Sequence, residues 1–497
     1  MNFMMTLHQA SQWIAAAELI GDGQTAVTRV HTDTRSVEPG DFFVALKGER
    51  HDASDFLTDA VAKGAKAIIC QSRELLVRSG VPGLVVTDAR AALGVLAAAW
   101  RDQFNLPLIA VTGSNGKTTV TQMIASILRV HRPEAMLATQ GNYNNDIGVP
   151  LTLLRIRAKH QIAVLELGMN HPGEIAHLAA MVKPTVGLVN NAQREHLEFM
   201  VTMEAVAREN GSIIASLPAN GVSVYPSGGG FSPLWEAMTG SRAQLTFGIA
   251  TERVHAVNVN SDPGSPADVS CASPEWIEGA WNLNVNTPAG DLQVMLHIAG
   301  EHNVRNALAA IACTLACGVP LDVIARGLDS FEPVKGRSRS LHGDIDGAKF
   351  TLIDDTYNAN PDSVRAAIEV LAGLPSPRLM VLGDMGEVGS NGPQFHAEAG
   401  QYAKTLGIES LFTIGELSSI ASTQFGSGIH AASMADLKDA VLTSLSQYRS
   451  ILVKGSRFMK MEQIVEAIMV VGGRSTPASR PNGPLPECVT LKEAQCS

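Results

Sequence analysis

An apolar run, Leu108-Ile109-Ala110-Val111-Thr112, opens directly onto Gly113-Ser114-Asn115-Gly116-Lys117-Thr118-Thr119, and a helical pattern continues to about residue 129. No other stretch constrains the fold as strongly. A strand that runs through a glycine turn into a helix belongs to a parallel sheet, with the helix returning across one face. The glycines let backbone N–H groups close around an anion, and the helix N-terminus adds partial positive charge. Lys117 is placed to reach β/γ-phosphates, and the Thr118 hydroxyl to face Mg²⁺. The strict phosphate-loop spacing is not met, because its first glycine would fall on Val111. An ordinary glycine turn is the bland alternative, but it does not explain why strand, Gly-x-x-Gly-Lys-Thr-Thr and helix coincide.

The same βα rhythm extends along the chain. Apolar strands are expected at 162–167 and 185–189, each followed by a helix, and residues 255–298 alternate like antiparallel strands at a sheet edge, with a loop insertion at 261–274. A long helix is expected from about 302 to 316. The 497 residues suggest about three domains. The expected boundaries are 1–104, 105–331 and 332–471, with a Pro/Gly/Ser-rich tail at 472–497. The first block mixes short strands (42–46, 67–70, 84–86) with helices such as 88–100, which Asp88 would cap. The third, with strands at 350–353, 379–382, 411–414 and 451–453, reads as a second open α/β sheet. The fold class is therefore α/β throughout.

Composition narrows the function. Apolar residues make up 45% and charged residues 17%, a folded globular profile. Net charge is −10 with no basic cluster, which argues against nucleic acid as a partner. Cys313 and Cys317, one helical turn apart among alanines, read as small core residues, and the six cysteines show no metal spacing. The opening residues MNFMMTLHQASQW lack a charged segment followed by an apolar one, and the apolar stretch 307–319 is too short to span a bilayer. The expectation is a cytosolic chain without membrane insertion. Nothing reads as an interface, so a monomer is expected.

Further candidates sit at strand ends. Glu166 closes the run 162–166, in the sheet of the glycine loop, where a carboxylate points into the ligand crevice; Mg²⁺ favours one or two such groups with phosphate oxygens and water. Helix capping is its alternative role. His196 follows the strand 185–190, and by position alone is a structural histidine more often than a ligand. Asp354-Asp355-Thr356-Tyr357-Asn358-Ala359-Asn360-Pro361 crowds two acids, a tyrosine and two amides after a third-block strand; Asn360-Pro361 also spells a helix start. Gly383-Asp384-Met385-Gly386-Glu387-Val388-Gly389 has the wrong spacing for a dinucleotide turn and reads as a substrate-facing loop.

Taken together these residues resemble the Mur ligase family over nearly the whole chain, up to about residue 472. Residues 112–119 are similar to its ATP loop, Gly141-Asn142-Tyr143-Asn144-Asn145 with Gly148 and Pro150 to the loop that follows, and Glu166-Leu167-Gly168 and His196-Leu197-Glu198 to its metal-ligand segments. His302-Asn303-Val304-Arg305-Asn306-Ala307 resembles the adenine side. Pro333-Val334-Lys335-Gly336-Arg337, residues 354–361, Gly383-Asp384-Met385 and Val453-Lys454-Gly455-Ser456-Arg457 resemble the third domain, and Asp33-Thr34-Arg35-Ser36 with Ala45-Leu46-Lys47-Gly48 the UDP-binding domain.

The resemblance implies a small N-terminal α/β UDP-binding domain, a central P-loop-type parallel-sheet ATPase domain and a C-terminal Rossmann-like domain. It implies ATP and Mg²⁺ as cofactors. Lys117, Glu166 and His196 would be catalytic, with Thr118, Glu166 and His196 on the metal. Gly113, Ser114, Asn115, Gly116, Lys117, Thr118, Thr119, Asn303, Asn306, Arg337 and Asp355 would bind ATP. Arg35, Ser36, Gly48, Asn144, Asn145, Tyr357, Asn358 and Asn360 would bind substrate.

The implied reaction joins D-Ala-D-Ala to UDP-MurNAc-tripeptide through an acyl phosphate, giving the pentapeptide, ADP and phosphate. The rivals are a sister Mur or folylpolyglutamate-type ligase, a P-loop kinase, and a non-catalytic UDP-sugar binder. The third-residue ligase's Asp-Asn-Pro-Arg is absent. Many family members carry a carbamylated lysine that holds a second Mg²⁺; aligning Val206-Ala207-Arg208-Glu209-Asn210-Gly211 with that segment puts Asn210 there. The resulting expectation is that Asn210 serves the ion through its carbonyl or a bridging water, with Glu209 turned elsewhere.

Overall fold

The computed structural model describes residues 3–48, 51–195, 197–250, 267–277, 279–345 and 347–473. Three α/β units follow one another. The first has a five-stranded sheet in the order Glu18–Ile20, Gly83–Val85, Ala67–Cys70, Asp41–Val44, Arg29–His31, parallel except at the Glu18–Ile20 edge. Its helix Ala89–Arg101 is capped by Asp88, whose carboxylate accepts from the N–H groups of Arg90 and Ala91. That helix buries Leu93, Leu96 and Trp100 against the central helices Gly148–Leu153 and Glu174–Val182. Arg101 Nε donates to Val182 O at 3.1 Å and Trp100 Nε1 to Ile156 O at 3.1 Å, so the first two units share one core.

Among the described residues the central sheet has ten strands. Its parallel part runs Met136–Ala138, Ile162–Glu166, Leu108–Thr112, Val186–Val189, Val222–Pro226, Ala243–Ile249, Val269–Cys271. Ala280–Thr287 then adds antiparallel to Val269–Cys271, with Glu275–Ile277 and Gly290–Leu296 paired antiparallel to it. Of the antiparallel edge expected at 255–298, residues 255–266 lie outside the described residues; from 275 to 296 it is present as antiparallel strands. Of the expected 261–274 loop, residues 261–266 lie outside the described residues, while Val269–Cys271 forms a strand instead, its buried side chains completing the sheet.

The glycine-loop strand Leu108–Thr112 is buried throughout because the sheet is covered on both faces. Its pleat sends Leu108 and Ala110 into the core shared with the first unit, and Ile109 and Val111 into a second core beneath the helices Lys117–His131 and Glu301–Ala316. On that second side the helix Leu321–Asp329 lies so close that a Cβ on Gly327 would stand 2.4 Å from Ile127 Cα, and Ser126 Oγ donates to Gly327 O at 2.7 Å. Cys313 is buried in this core.

The third unit has a six-stranded sheet in the order Arg339–Ile345, Ala348–Asp355, Ser450–Lys454, Arg378–Gly383, Ser410–Ile414, Ile429–Ala431, parallel except for its first pair. Among the described residues no helix is long and apolar enough to cross a membrane.

Candidate active site

After Leu108–Thr112 the chain passes to the Met136–Ala138 edge, returns to Ile162–Glu166, and then crosses to Val186–Val189 on the other side of the glycine-loop strand. The connections reverse direction there, and a crevice opens beyond the carboxyl ends of the strands. It is a cleft of about 1030 Å³ whose walls come from the central and C-terminal units and from Arg90 of the first. Lys117, Arg305, Arg337, Lys454 and Arg457 supply further positive charge to the lining.

The glycine loop sits at its floor. Gly113 and Gly116 have φ of 138° and 80°, values that side-chain-bearing residues avoid. A Cβ on Gly116 would meet Asn306 Oδ1 at 2.5 Å and Asn190 Nδ2 at 2.7 Å, so those two amides press against the loop's backbone. Asn190 Nδ2 donates to Asn306 Oδ1 at 2.9 Å and to Asn115 O at 2.8 Å, and Asn306 Nδ2 to Asn303 Oδ1 at 2.9 Å. Asn191 accepts from the Asn115 N–H at 2.8 Å through Oδ1, and the Gln193 N–H donates to Ser114 Oγ at 2.9 Å. Lys117 Nζ donates to Gly113 O at 2.6 Å, to Ser114 O at 3.0 Å and to the Glu195 carboxylate at 3.1 Å.

Glu166, at the end of its strand, is 2% exposed. One carboxylate oxygen accepts from Asn144 Nδ2 at 2.8 Å; the other is buried with no partner. A buried carboxylate oxygen left unpaired is costly unless a cation or donor arrives from the cleft. With the Thr118 hydroxyl also lining the cleft, the residues present fit a hard dication. Asn145 Oδ1 accepts from the Gly148 N–H at 2.9 Å, so it holds the loop while lining the cleft.

The 354–361 segment closes the opposite wall. Asp354 is buried and accepts from the Gly336 N–H at 2.9 Å and from Thr356 Oγ1 at 2.7 Å. Asp355 accepts from the Ser338 N–H at 3.0 Å and from buried Lys454 Nζ at 2.6 Å; Lys454 also donates to Asn358 O at 2.9 Å. The Tyr357 ring lies under two guanidinium groups, Arg337 at 4.0 Å and Arg457 at 5.8 Å. Asn360 caps the helix Pro361–Ala372 through the Ser363 N–H, and its Nδ2 donates to Asn115 Oδ1 at 2.8 Å, linking the C-terminal unit to the glycine loop. Burial pushes the His302 imidazole below its ordinary pKa.

Ser114, Asn115, Gly116, Lys117, Thr118, Thr119, Asn144, Asn145, Glu166, Asn303, Asn306, Arg337, Asp355, Tyr357, Asn358 and Asn360 therefore share one cleft. Arg35, Ser36 and Gly48 lie on the first unit and are not among its lining: Arg35 is paired with Asp33, and Ser36 Oγ is 2.9 Å from His31 Nε2. His196 lies outside the described residues.

Two expectations change and one holds. Asn210 is fully buried away from the cleft, its Oδ1 accepting from Thr112 Oγ1 at 2.7 Å and its Nδ2 donating to Val206 O at 3.1 Å, so its carbonyl is not offered to an ion. Glu209 is turned elsewhere, as expected: it accepts from the N–H groups of Gly173 and Ile175 at 2.8 and 2.7 Å, an anion at a helix N-terminus. In the 383–389 loop only Glu387 lines the cleft, because Asp384 caps the helix Ser418–Phe425 through the Ser418 N–H at 2.7 Å.

The residues not anticipated include Asn190, Asn191, Gln193, Arg194 and Glu195; Lys454 stood within a segment resembling the third domain but had no role assigned to it. Asn190, Asn191 and Lys454 stand at strand ends, the signal that found Glu166. The others lie in a loop with no pattern of its own.

A glycine loop at a switch point, with a second open sheet folded over it, defines an ATP-binding ligase architecture. The chain carries, in order, a Mur ligase family catalytic domain at residues 26–101, a Mur ligase middle domain at 111–314 and a Mur ligase glutamate ligase domain at 336–457. It belongs to the Mur ligase family, and is an ATP-dependent peptide ligase with that family's three-domain fold. It is 39% identical over 474 residues to the UDP-N-acetylmuramoyl-tripeptide–D-alanyl-D-alanine ligase of Escherichia coli, spanning 94% of this chain and 99% of that one. A crystal structure of MurF from Acinetobacter baumannii superposes with a TM-score of 0.84 at 35% identity, over 94% of this chain and 98% of that one. The MurF ligase of Thermotoga maritima in complex with ADP matches with a TM-score of 0.75 at 26% identity, over 89% and 97% of the two chains.

Proposed function

We propose that the chain adds D-Ala-D-Ala to UDP-MurNAc-tripeptide at the expense of ATP, in peptidoglycan precursor synthesis in the cytoplasm. The observation that carries this reading is the pairing, in one cleft, of a glycine loop with a buried, half-unpartnered carboxylate, in a chain so similar to tripeptide–D-alanyl-D-alanine ligases.

The chemistry needs no enzyme nucleophile. A carboxylate is a poor electrophile, so the tripeptide's terminal carboxylate first takes the γ-phosphoryl group, releasing ADP. The free amine of D-Ala-D-Ala then attacks the acyl carbon, and phosphate leaves with the amide formed. Lys117, with the loop N–H groups, steadies charge on the transferring oxygens. Glu166 and Thr118 would hold Mg²⁺, with His196 as a third ligand by family resemblance; bound there, the ion would neutralise phosphate charge. Asn303 and Asn306 keep the loop shaped for the nucleotide, and Arg337 and Asp355 meet it from the C-terminal unit. Asn144, Asn145, Tyr357, Asn358 and Asn360 line the path of the acyl and amine substrates, with water excluded as the C-terminal unit closes. Arg35, Ser36 and Gly48 meet the UDP end of the substrate, outside the cleft.

The test is phosphate release with ATP and Mg²⁺, with mass-spectrometric identification of the product. Release is expected only when the UDP-tripeptide and D-Ala-D-Ala are both present, and the product mass should be that of the pentapeptide. Sustained phosphate release without D-Ala-D-Ala, or a stable phosphorylated end product in place of the pentapeptide, would point to an ATPase or kinase and sink the assignment.

A further inference from the structure

The segment 191–195 wraps the glycine loop, and its last two residues face different partners. Arg194 reaches the C-terminal unit. Its backbone N–H donates to Asp362 Oδ2 at 2.7 Å, its Nε and Nη2 to Asp362 Oδ1 at 3.0 and 2.7 Å, and its Nη1 to Glu398 Oε2 at 3.1 Å. Glu195 reaches the glycine loop, its two carboxylate oxygens 3.1 and 3.3 Å from Lys117 Nζ. The pair is largely enclosed, with side-chain exposures of 14% for Lys117 and 11% for Glu195. An ammonium has three donors. Two of those on Lys117 go to its own loop, to Gly113 O and Ser114 O. The third is the one directed away from the loop, and Glu195 accepts it. A phosphate drawn to Lys117 competes for that donor, and two anions crowded on one ammonium repel each other.

We propose that Glu195 is a positioning residue for Lys117: its carboxylate is the counter-ion that a nucleotide phosphate displaces, which loosens nucleotide binding and eases release of ADP. Arg194, one residue away, fixes the C-terminal unit to the same segment, so the position of that unit and the engagement of Lys117 are linked through a single peptide bond. The inference rests on Lys117 serving the ATP phosphates.

Calorimetric titration of the full chain with ADP and with ATP, each with Mg²⁺ and without the amide substrates, tests it. Glu195→Gln keeps the shape and removes the charge. It should lower Kd for both nucleotides about three- to tenfold, the scale of a partly buried ion pair lost from the unliganded side of the equilibrium. The KM for ATP should fall with it, while kcat should not rise. In a Lys117→Ala background the same change should alter Kd less than about twofold, because its ion pair with Lys117 is gone. Glu195→Ala, checked like the others by thermal melting, should tighten binding in the same direction. Unchanged or weaker nucleotide binding in both Glu195 variants would overturn the inference while leaving the phosphate-loop assignment standing, as would equal tightening with and without Lys117. If Lys117→Ala alone left Kd unchanged, the phosphate-loop assignment itself would fall, and this inference with it.

Discussion

The glycine loop and the Asp33–Gly48 region of the first unit were both singled out by short polar motifs after apolar runs, yet the fold treats them differently. At the loop the function is carried largely by backbone: positive-φ glycines and a helix N-terminus, both fixed by local sequence once the strand and helix are in place. In the first unit it depends on where a side chain points. Arg35 is 87% exposed and tied to Asp33, outside the main cleft. A motif that works through its own backbone is readable one segment at a time; a motif that works through a long side chain needs its neighbours placed first.

The largest effect should come from the loop. Lys117→Ala is expected to lower kcat/KM by at least about a hundredfold, the cost of losing one donor to developing charge, with melting temperature little changed. Turnover within tenfold of wild type, in enzyme free of wild-type contamination, would end the distinction between the two regions. Next comes Glu166→Gln. A neutral amide in place of the half-unpartnered carboxylate should shift the Mg²⁺ titration upward by about tenfold or more, and an unchanged titration would make Glu166 structural.

Arg35→Ala should have a smaller effect, raising KM for the UDP substrate a few-fold and leaving that for ATP alone. A rise in the KM for ATP instead would place Arg35 with the nucleotide. Hydrogen bonds from Arg35 hold the Asp33 carboxyl down to about 2, so the pair is charged above the usual carboxylate range and is lost only as pH falls toward 2. The effect of Arg35→Ala should therefore be the same at pH 5.5 and 7.5.

The smallest expected effect is on stability and is read by pH. Fully buried His396 accepts from the Met385 N–H at 3.0 Å, and burial pushes its pKa below the ordinary value of 6.5. Below about pH 6.5 the unfolded chain binds that proton more readily than the folded one, so stability rises with pH across the window between the two values. His302 is shifted the same way by burial. Melting temperature at pH 5.5 should fall below that at pH 7.5, and a melting temperature that rises on acidification would contradict the assignment of neutral histidines.

Much of the scaffold was legible in the sequence. The strand Leu108–Thr112, the Asp88 cap, the Asn360-Pro361 helix start and the alternating α/β order all follow from local patterns, and each is present. Asn360 also shows where that reading stops. As a helix cap it follows from its own neighbours, but its side-chain hydrogen bond to Asn115 joins residues 245 positions apart. Asn210 is the opposite case: family alignment put it at an ion, while packing gave its carbonyl to Thr112, 98 positions away.

The sequence by itself determined the order of strands and helices, the glycine loop and the acid at the end of the neighbouring strand, because hydrophobic periodicity and backbone conformation are set within a few residues. Only the tertiary structure decided which side chains share the cleft. Lys454 beneath Asp355, Asn306 against Gly116 and Glu195 on Lys117 are contacts between segments 78 to 190 positions apart, counted from 195 − 117 for Glu195 to 306 − 116 for Asn306. Their geometry follows from how sheets and helices pack on one another, and no local pattern records it.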